Sequence, residues 1–168
     1  MDLERPRLMQ FPKTMIRFDT PVKEFLTRAE GQLISDSDSV AEAASKLANL
    51  GTGCVLVESK GKLRGIFTER DFLVRVVAEA RDPNAVAVRE VMTEDPECVE
   101  EWASVAYAIN RMAIGGYRNI PVVTKDGKPL GVLTIFDVID FLMDVFKEQR
   151  EGEPEQDSEE DWVDIGGG

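Results

Sequence analysis

The sequence states most of its body twice. When 22–27 and 53–71 are set against the residues 66 positions later, and 32–51 against those 65 later, 15 of 45 positions are identical. Composition alone gives about three. The matches include Val22/Val88, Glu24/Glu90, Thr27/Thr93, Ser39/Ser104, Val40/Val105, Gly51/Gly116, Val57/Val123, Gly65/Gly131, Thr68/Thr134 and Asp71/Asp137. The period is too long, and the copies too few, for a solenoid. Two units packed about a pseudo-twofold axis, each hiding the other's apolar face, are the expected arrangement.

Both copies read helix, strand, turn, strand, helix, an α/β pattern. In the first, Asp38 or Ser39 opens a helix carrying Val40, Ala43, Ala44, Leu47 and Leu50 at helical spacing, and Gly51 lies past its end. Cys54 to Val57 is a short apolar run that predicts a buried strand, Ser59 to Lys62 a turn, and Leu63 to Phe67 the returning strand. A helix after Thr68 is expected to face Phe72, Leu73, Val76 and Val77 inward. The second copy repeats this with a helix from Ser104, a stop at Gly115-Gly116, strands at 120–123 and 130–133, and a last helix after Thr134 facing Val138, Ile139, Phe141, Leu142 and Val145 inward. Short extended pieces near Leu33-Ile34 and Cys98-Val99 add a strand ahead of each first helix. The units expected are an N-terminal arm at 1–20, repeats at 21–85 and 86–147, and an acidic tail at 148–168.

The charge balance excludes whole classes of function. Lysine and arginine total 20, aspartate and glutamate 32, so the net charge is −12. Nonspecific DNA or RNA binding, which replaces phosphate counterions with basic side chains, is not expected. Of the excess, nine acids against two bases lie from Lys147 to Gly168. That stretch lacks apolar periodicity before Trp162 and reads as disordered beyond about residue 150. It reads as a solubilising tail or, alternatively, as an acidic segment with Trp162, Val163 and Ile165 as a small docking patch for a protein partner. With no histidine in the 168 residues, Ser-His-Asp and Cys-His nucleophile schemes and zinc–histidine motifs are excluded. Cys54 and Cys98 form no CxxC or disulfide framework, which fits a reducing, cytoplasmic compartment. No apolar run approaches the roughly 20 residues of a membrane span, and the acidic start Met1-Asp2-Leu3-Glu4 predicts no secretory signal.

The pattern that bears most on function is Gly-x-x-Thr-x-x-Asp, present as Gly65 to Asp71 and Gly131 to Asp137. A threonine ending a strand and opening a helix, with an acid three residues on, is a capping box. The same geometry gathers backbone N–H groups and the positive end of a helix dipole, which suits an anion. The carboxylate can also accept hydrogen bonds from two adjacent hydroxyls, as on a ribose. Both readings can hold at once. No metal-ligand cluster and no nucleophile–base pair stand out. Glu69 and Asp71 read as a solvated charge and a cap, so catalysis is not expected.

The ordered set of motifs resembles a tandem of CBS domains, a Bateman module. It rests on Cys54-Val55-Leu56-Val57, Gly61-Lys62 and Gly65 to Asp71 in the first copy. In the second it rests on Val91-Met92-Thr93, Tyr117 to Val123, Asp126-Gly127 and Gly131 to Asp137. The resemblance covers roughly 20–147 and implies two βαββα-type repeats with two clefts between them. It also implies a homodimer, a regulatory rather than catalytic role on a protein partner, and an adenosine-containing ligand such as AMP, ADP, ATP or S-adenosylmethionine, with no required cofactor. An interaction module without a ligand, working through its dimer and acidic tail, is the alternative. By the same resemblance, Asp137 takes the ribose hydroxyls and Thr134 the sugar or phosphate. Ile120, Pro121 and Val122 flank the adenine, and Arg118 with Asn119 meets phosphate. In the first copy Asp71 and Thr68 take the ribose, with Gly53, Cys54, Val55 and Leu56 around the base. Arg70 meets the ligand or lies at a dimer seam. Aligned at 66, Gly53 falls on Asn119, no arginine matches Arg118, and Arg70 falls on Phe136. The clefts are therefore expected to differ, the second binding phosphate better.

Overall fold

Local sequence dictates where each helix begins. Ser39 is the N-cap of α1 (Val40–Leu50): its hydroxyl accepts from Glu42 N–H while the Glu42 carboxylate accepts from Ser39 N–H, and Gly51 closes the helix at φ 60°. Ser104 caps α3 (Val105–Gly115) and Gly116 ends it at φ 67°. A left-handed residue at a helix end favours glycine because no Cβ meets the carbonyl. The chain is described by a computed structural model over residues 18–28 and 31–151. Its strands are β1 (Thr27–Arg28), β2 (Leu33–Ser35), β3 (Cys54–Ser59), β4 (Lys62–Thr68), β5 (Thr93–Glu94), β6 (Val99–Glu100), β7 (Asn119–Val123) and β8 (Pro129–Thr134). The remaining α-helices are α2 (Glu69–Phe72), which continues as a π-helical turn over Leu73–Val77, and α4 (Ile135–Glu151).

Two four-stranded sheets form, in the orders β2-β3-β4-β5 and β1-β8-β7-β6. Each copy therefore lends its opening strand to the other. β5, from the start of the second copy, pairs with β4 of the first, and β1 pairs with β8. The exchange is reciprocal bond for bond. Val22 N–H donates to Ala103 O and Val88 N–H to Asp38 O, both at 2.8 Å; Val105 N–H donates to Thr20 O and Val40 N–H to Val86 O, both at 2.9 Å. These pairs obey the pseudo-twofold expected from the repeat.

Packing follows the same exchange. One core joins Ile34, Val40, Leu47, Val55, Val57 and Phe67 to Val86, Val88, Val91 and Met92 from the next copy. The other joins Val99, Val105, Met112, Ile120, Leu133 and Phe141 to Val22 and Phe25. Burying each such side chain contributes about 1.5–3 kcal/mol, so neither copy has its full core alone. Where the sheets meet, Cys54, Leu56, Ile66 and Val132 form a third cluster. Of the arm, Phe18 to Thr20 lies on the second copy, with Phe18 edge-on to Phe141 at 5.5 Å. The rest of the arm, 1–17, and the tail from 152 lie outside the described residues. The helix itself reaches Glu151, into the stretch assigned from sequence to the tail.

Two helices differ from expectation. Leu73 and Val77 are 60% and 53% exposed, although Val76 is buried. The chain passes from α to π at Leu73, and the wider turn changes which positions meet the core. In α4, Ile139 is 47% exposed and joins Phe136, Met143 and Phe146 on an outer stripe, opposite Val138 and Phe141. Among the described residues no helix is long and apolar enough to cross a membrane.

Candidate functional site

Each Thr-x-x-Asp pair sits where the second strand of a copy ends. The ladders place Thr68 opposite Cys54 and Thr134 opposite Asn119. Two residues further along, Leu56 lies opposite Ile66 and Pro121 opposite Val132. Ile66 and Val132 belong to the cluster between the sheets. Because side chains alternate along a strand, the two threonines, Cys54 and Asn119 share that inter-sheet face. Val55 and Val57, like Ile120 and Val122, point the other way into the helix-covered cores. Of the apolar residues proposed around an adenine, Cys54, Leu56 and Pro121 thus line the seam, and Val55, Ile120 and Val122 can offer only backbone there. Pro121 has a single ladder partner, since pairing with β6 starts at Val122. A residue without an N–H is suited to that place.

The ladders also correct the comparison of the copies. Val57 pairs with Gly65, and Val122 with Gly131. Along the first strand the true offset is therefore 65, and the second copy carries its extra residue in the following turn. Val57 corresponds to Val122, Cys54 to Asn119 and Gly53 to Arg118. Arg118 does have a counterpart, and it is a glycine. Arg118 and Gly53 are both exposed, Asn119 is half-buried and Cys54 fully buried. Arg70 and Phe136, at the start of α2 and α4, are both exposed.

Both carboxylates act as caps. Thr134 N–H and Thr134 Oγ1 donate to Asp137 Oδ2, each at 2.7 Å, and Asp137 N–H donates to Thr134 Oγ1 at 3.2 Å. Thr68 N–H and Oγ1 donate to Asp71 Oδ2 at 2.9 and 2.7 Å, and Asp71 N–H returns to Thr68 Oγ1 at 3.1 Å. One oxygen of each acid is therefore committed to its helix. The other differs between copies. Asp71 Oδ1 lies 3.4 Å from Arg75 Nη1, and Asp71 is only 8% exposed. Asp137 is half-buried, and no described residue donates to its Oδ1. Arg75 escaped the reading of motifs. Its signal was the Asp71/Arg75 spacing of four on one helix, which has no echo in the second copy, where Phe141 stands at the equivalent position.

The seam offers acceptors for hydroxyls and apolar walls, and exposed Arg118 precedes Asn119 along the chain. Burial pushes the Cys54 thiol up to about 12, so the thiolate nucleophile is suppressed. No group of three or more Cys, Asp or Glu among the described residues is arranged to hold a metal ion.

Comparison with known proteins agrees with this architecture. Residues 22–78 and 88–144 each match the family model of the CBS domain. The uncharacterised protein YlbB of Bacillus subtilis is 40% identical over 121 residues, covering 71% of this chain and 80% of that protein. The meiotically up-regulated gene 70 protein of Schizosaccharomyces pombe is 34% identical over 119 residues, covering 71% of this chain but 16% of its own length. The chain spans less than a fifth of this and other long curated relatives, two of which it covers to 19%. Among solved structures, a CBS domain protein from Pyrobaculum aerophilum, complexed with AMP, is similar in fold at a TM-score of 0.67 and 23% identity, covering 76% of this chain and 99% of that one.

Proposed function

The chain belongs to the CBS-domain family, and from that premise we propose that it is a non-catalytic regulatory module that senses an adenosine nucleotide. One observation carries the reading: Asp137 presents a carboxylate oxygen to which no described residue donates, at a helix start whose threonine cap lies opposite Asn119 on the seam, with exposed Arg118 preceding Asn119 along the chain. A ribose needs an acceptor for its hydroxyls, and a phosphate needs a cation and helix N–H groups within reach. The AMP in the Pyrobaculum aerophilum protein of like fold makes AMP the first ligand to try, with ADP, ATP and S-adenosylmethionine beside it.

The module acts as a homodimer on a protein partner. Phe136, Ile139, Met143 and Phe146 form an exposed apolar stripe on α4, and Leu73, Val74 and Val77 extend the exposed apolar surface. A second copy burying that stripe removes it from water. Nucleotide bound at the seam favours one relative placement of the copies, which the dimer passes on to the partner. Two free cysteines fit a cytoplasmic setting.

Isothermal titration of the desalted protein tests the reading. Saturable heat with at least one of the four ligands is expected, and silence towards all of them at millimolar concentration overturns it. A ligand-free interaction module is the second reading, favoured by the fact that both Thr-x-x-Asp pairs are complete capping boxes by themselves. Nucleotide released on denaturing the desalted protein, read near 260 nm, separates the two.

A further inference from the structure

We propose that Arg75 reserves the first-copy carboxylate for an internal strut, so that each chain takes one adenosine nucleotide, at Asp137 of the second copy. The inference rests on the nucleotide reading above and narrows it to one site.

Arg75 is held at several points at once. Its Nη1 lies 3.4 Å from Asp71 Oδ1 and donates to Val91 O at 2.9 Å and Met92 O at 2.5 Å, while Nη2 donates to Thr93 Oγ1 at 3.3 Å. Val91 to Thr93 lead into β5, the strand lent to the first sheet. The guanidinium therefore ties the start of α2 to the exchanged segment, and Asp71 is the anion that balances it there. Asp71 Oδ2 already serves Thr68. A ribose arriving at this acid finds one oxygen used by the cap, the other beside a cation, and the group 8% exposed.

The second copy differs at three equivalent positions in one direction, while a fourth, with Arg70 in the first copy and Phe136 in the second, runs the other way. Phe141 replaces Arg75, is fully buried, and packs against Phe25 at 5.2 Å, so that position brings no cation to Asp137. Half-buried Asn119, with donor and acceptor atoms, replaces buried Cys54. Arg118 replaces Gly53. Hydroxyl acceptor, polar edge and cation are all offered by the second copy, whereas in the first the acceptor is engaged, Gly53 and Cys54 supply neither of the others, and the cation is Arg70 at the helix start.

Titration of the full chain with AMP, with folding checked by circular dichroism, reads the number of sites. Wild type is expected to bind one AMP per chain and Asp137→Asn none. Arg75→Gln is expected to bind two, the second lost again in Arg75→Gln/Asp71→Asn. Arg75→Lys, which keeps the cation, is expected to return to one. A merely structural role for Arg75 would shift the melting temperature without changing that number. Two AMP per wild-type chain, or binding that survives Asp137→Asn, overturns the assignment and leaves the nucleotide reading standing. No binding by any variant, with AMP or with ADP, ATP or S-adenosylmethionine in its place, overturns both.

Discussion

Gly65 opens the repeated Gly-x-x-Thr-x-x-Asp motif, and its substitution separates a packing role from a ligand role. It pairs with Glu94 where β5 joins β4. A Cβ at Gly65 would lie 2.4 Å from Met92 Sδ, 2.9 Å from Met92 Cγ and 2.9 Å from the Thr93 carbonyl oxygen. The Met92 side chain can swing, although it is buried in the first core. The Thr93 oxygen is backbone, so β5 must move with it. Overpacking of this kind costs about 1–3 kcal/mol, and the lower unfolded-chain entropy of alanine returns about 0.4–1 kcal/mol. Gly65→Ala should therefore destabilise by about 1–2 kcal/mol, a fall of about 2–8 °C in Tm for a chain of this size. Gly53→Ala is the control. Nothing lies within 4 Å of its Cβ position, and its φ is outside the left-handed range, so it should stay within about 0.5 kcal/mol of wild type. Thermal and urea unfolding, followed by circular dichroism without ligand, measure both. If Gly65→Ala melts with or above Gly53→Ala, β5 does not seat against β4 as described.

Two further outcomes follow from the surface and the thiols. Replacing Phe136 and Ile139 together by aspartate puts charge into the exposed stripe of α4; sedimentation should show dimer affinity weakened at least about a hundred-fold, and a wild-type chain that sediments as a monomer refutes the homodimer. Iodoacetamide at pH 8 should modify exposed Cys98 slowly, its thiol pushed up by partial desolvation and then by Glu97 and Glu100. It should leave Cys54, buried and raised to about 12, untouched until the protein is unfolded. Native labelling of Cys54 at the rate of Cys98 would contradict its burial between the sheets.

The sequence by itself determined whatever depends on neighbours along the chain. Ser39 and Ser104 open helices, Gly51 and Gly116 end them, and Thr68 with Asp71 and Thr134 with Asp137 form capping boxes, because each bond joins residues within four or five positions. Duplication was equally legible, and with it the α/β repeats and their pseudo-twofold. Tertiary structure alone decided which copy completes which sheet. The partners of β1 and β5 lie far along the chain, and neither strand's pattern names its neighbour. It also decided the offset of 65 that pairs Arg118 with Gly53: identity along a ladder cannot place an extra residue before or after a turn, whereas cross-strand hydrogen bonds can. Ile139 turned outward because α4 is apolar on both faces, and periodicity cannot say which face meets the core. Arg75 reached carbonyls 16 and 17 residues away, a contact that exists only once the exchanged segment has crossed to the other copy and brought its backbone oxygens to that cation.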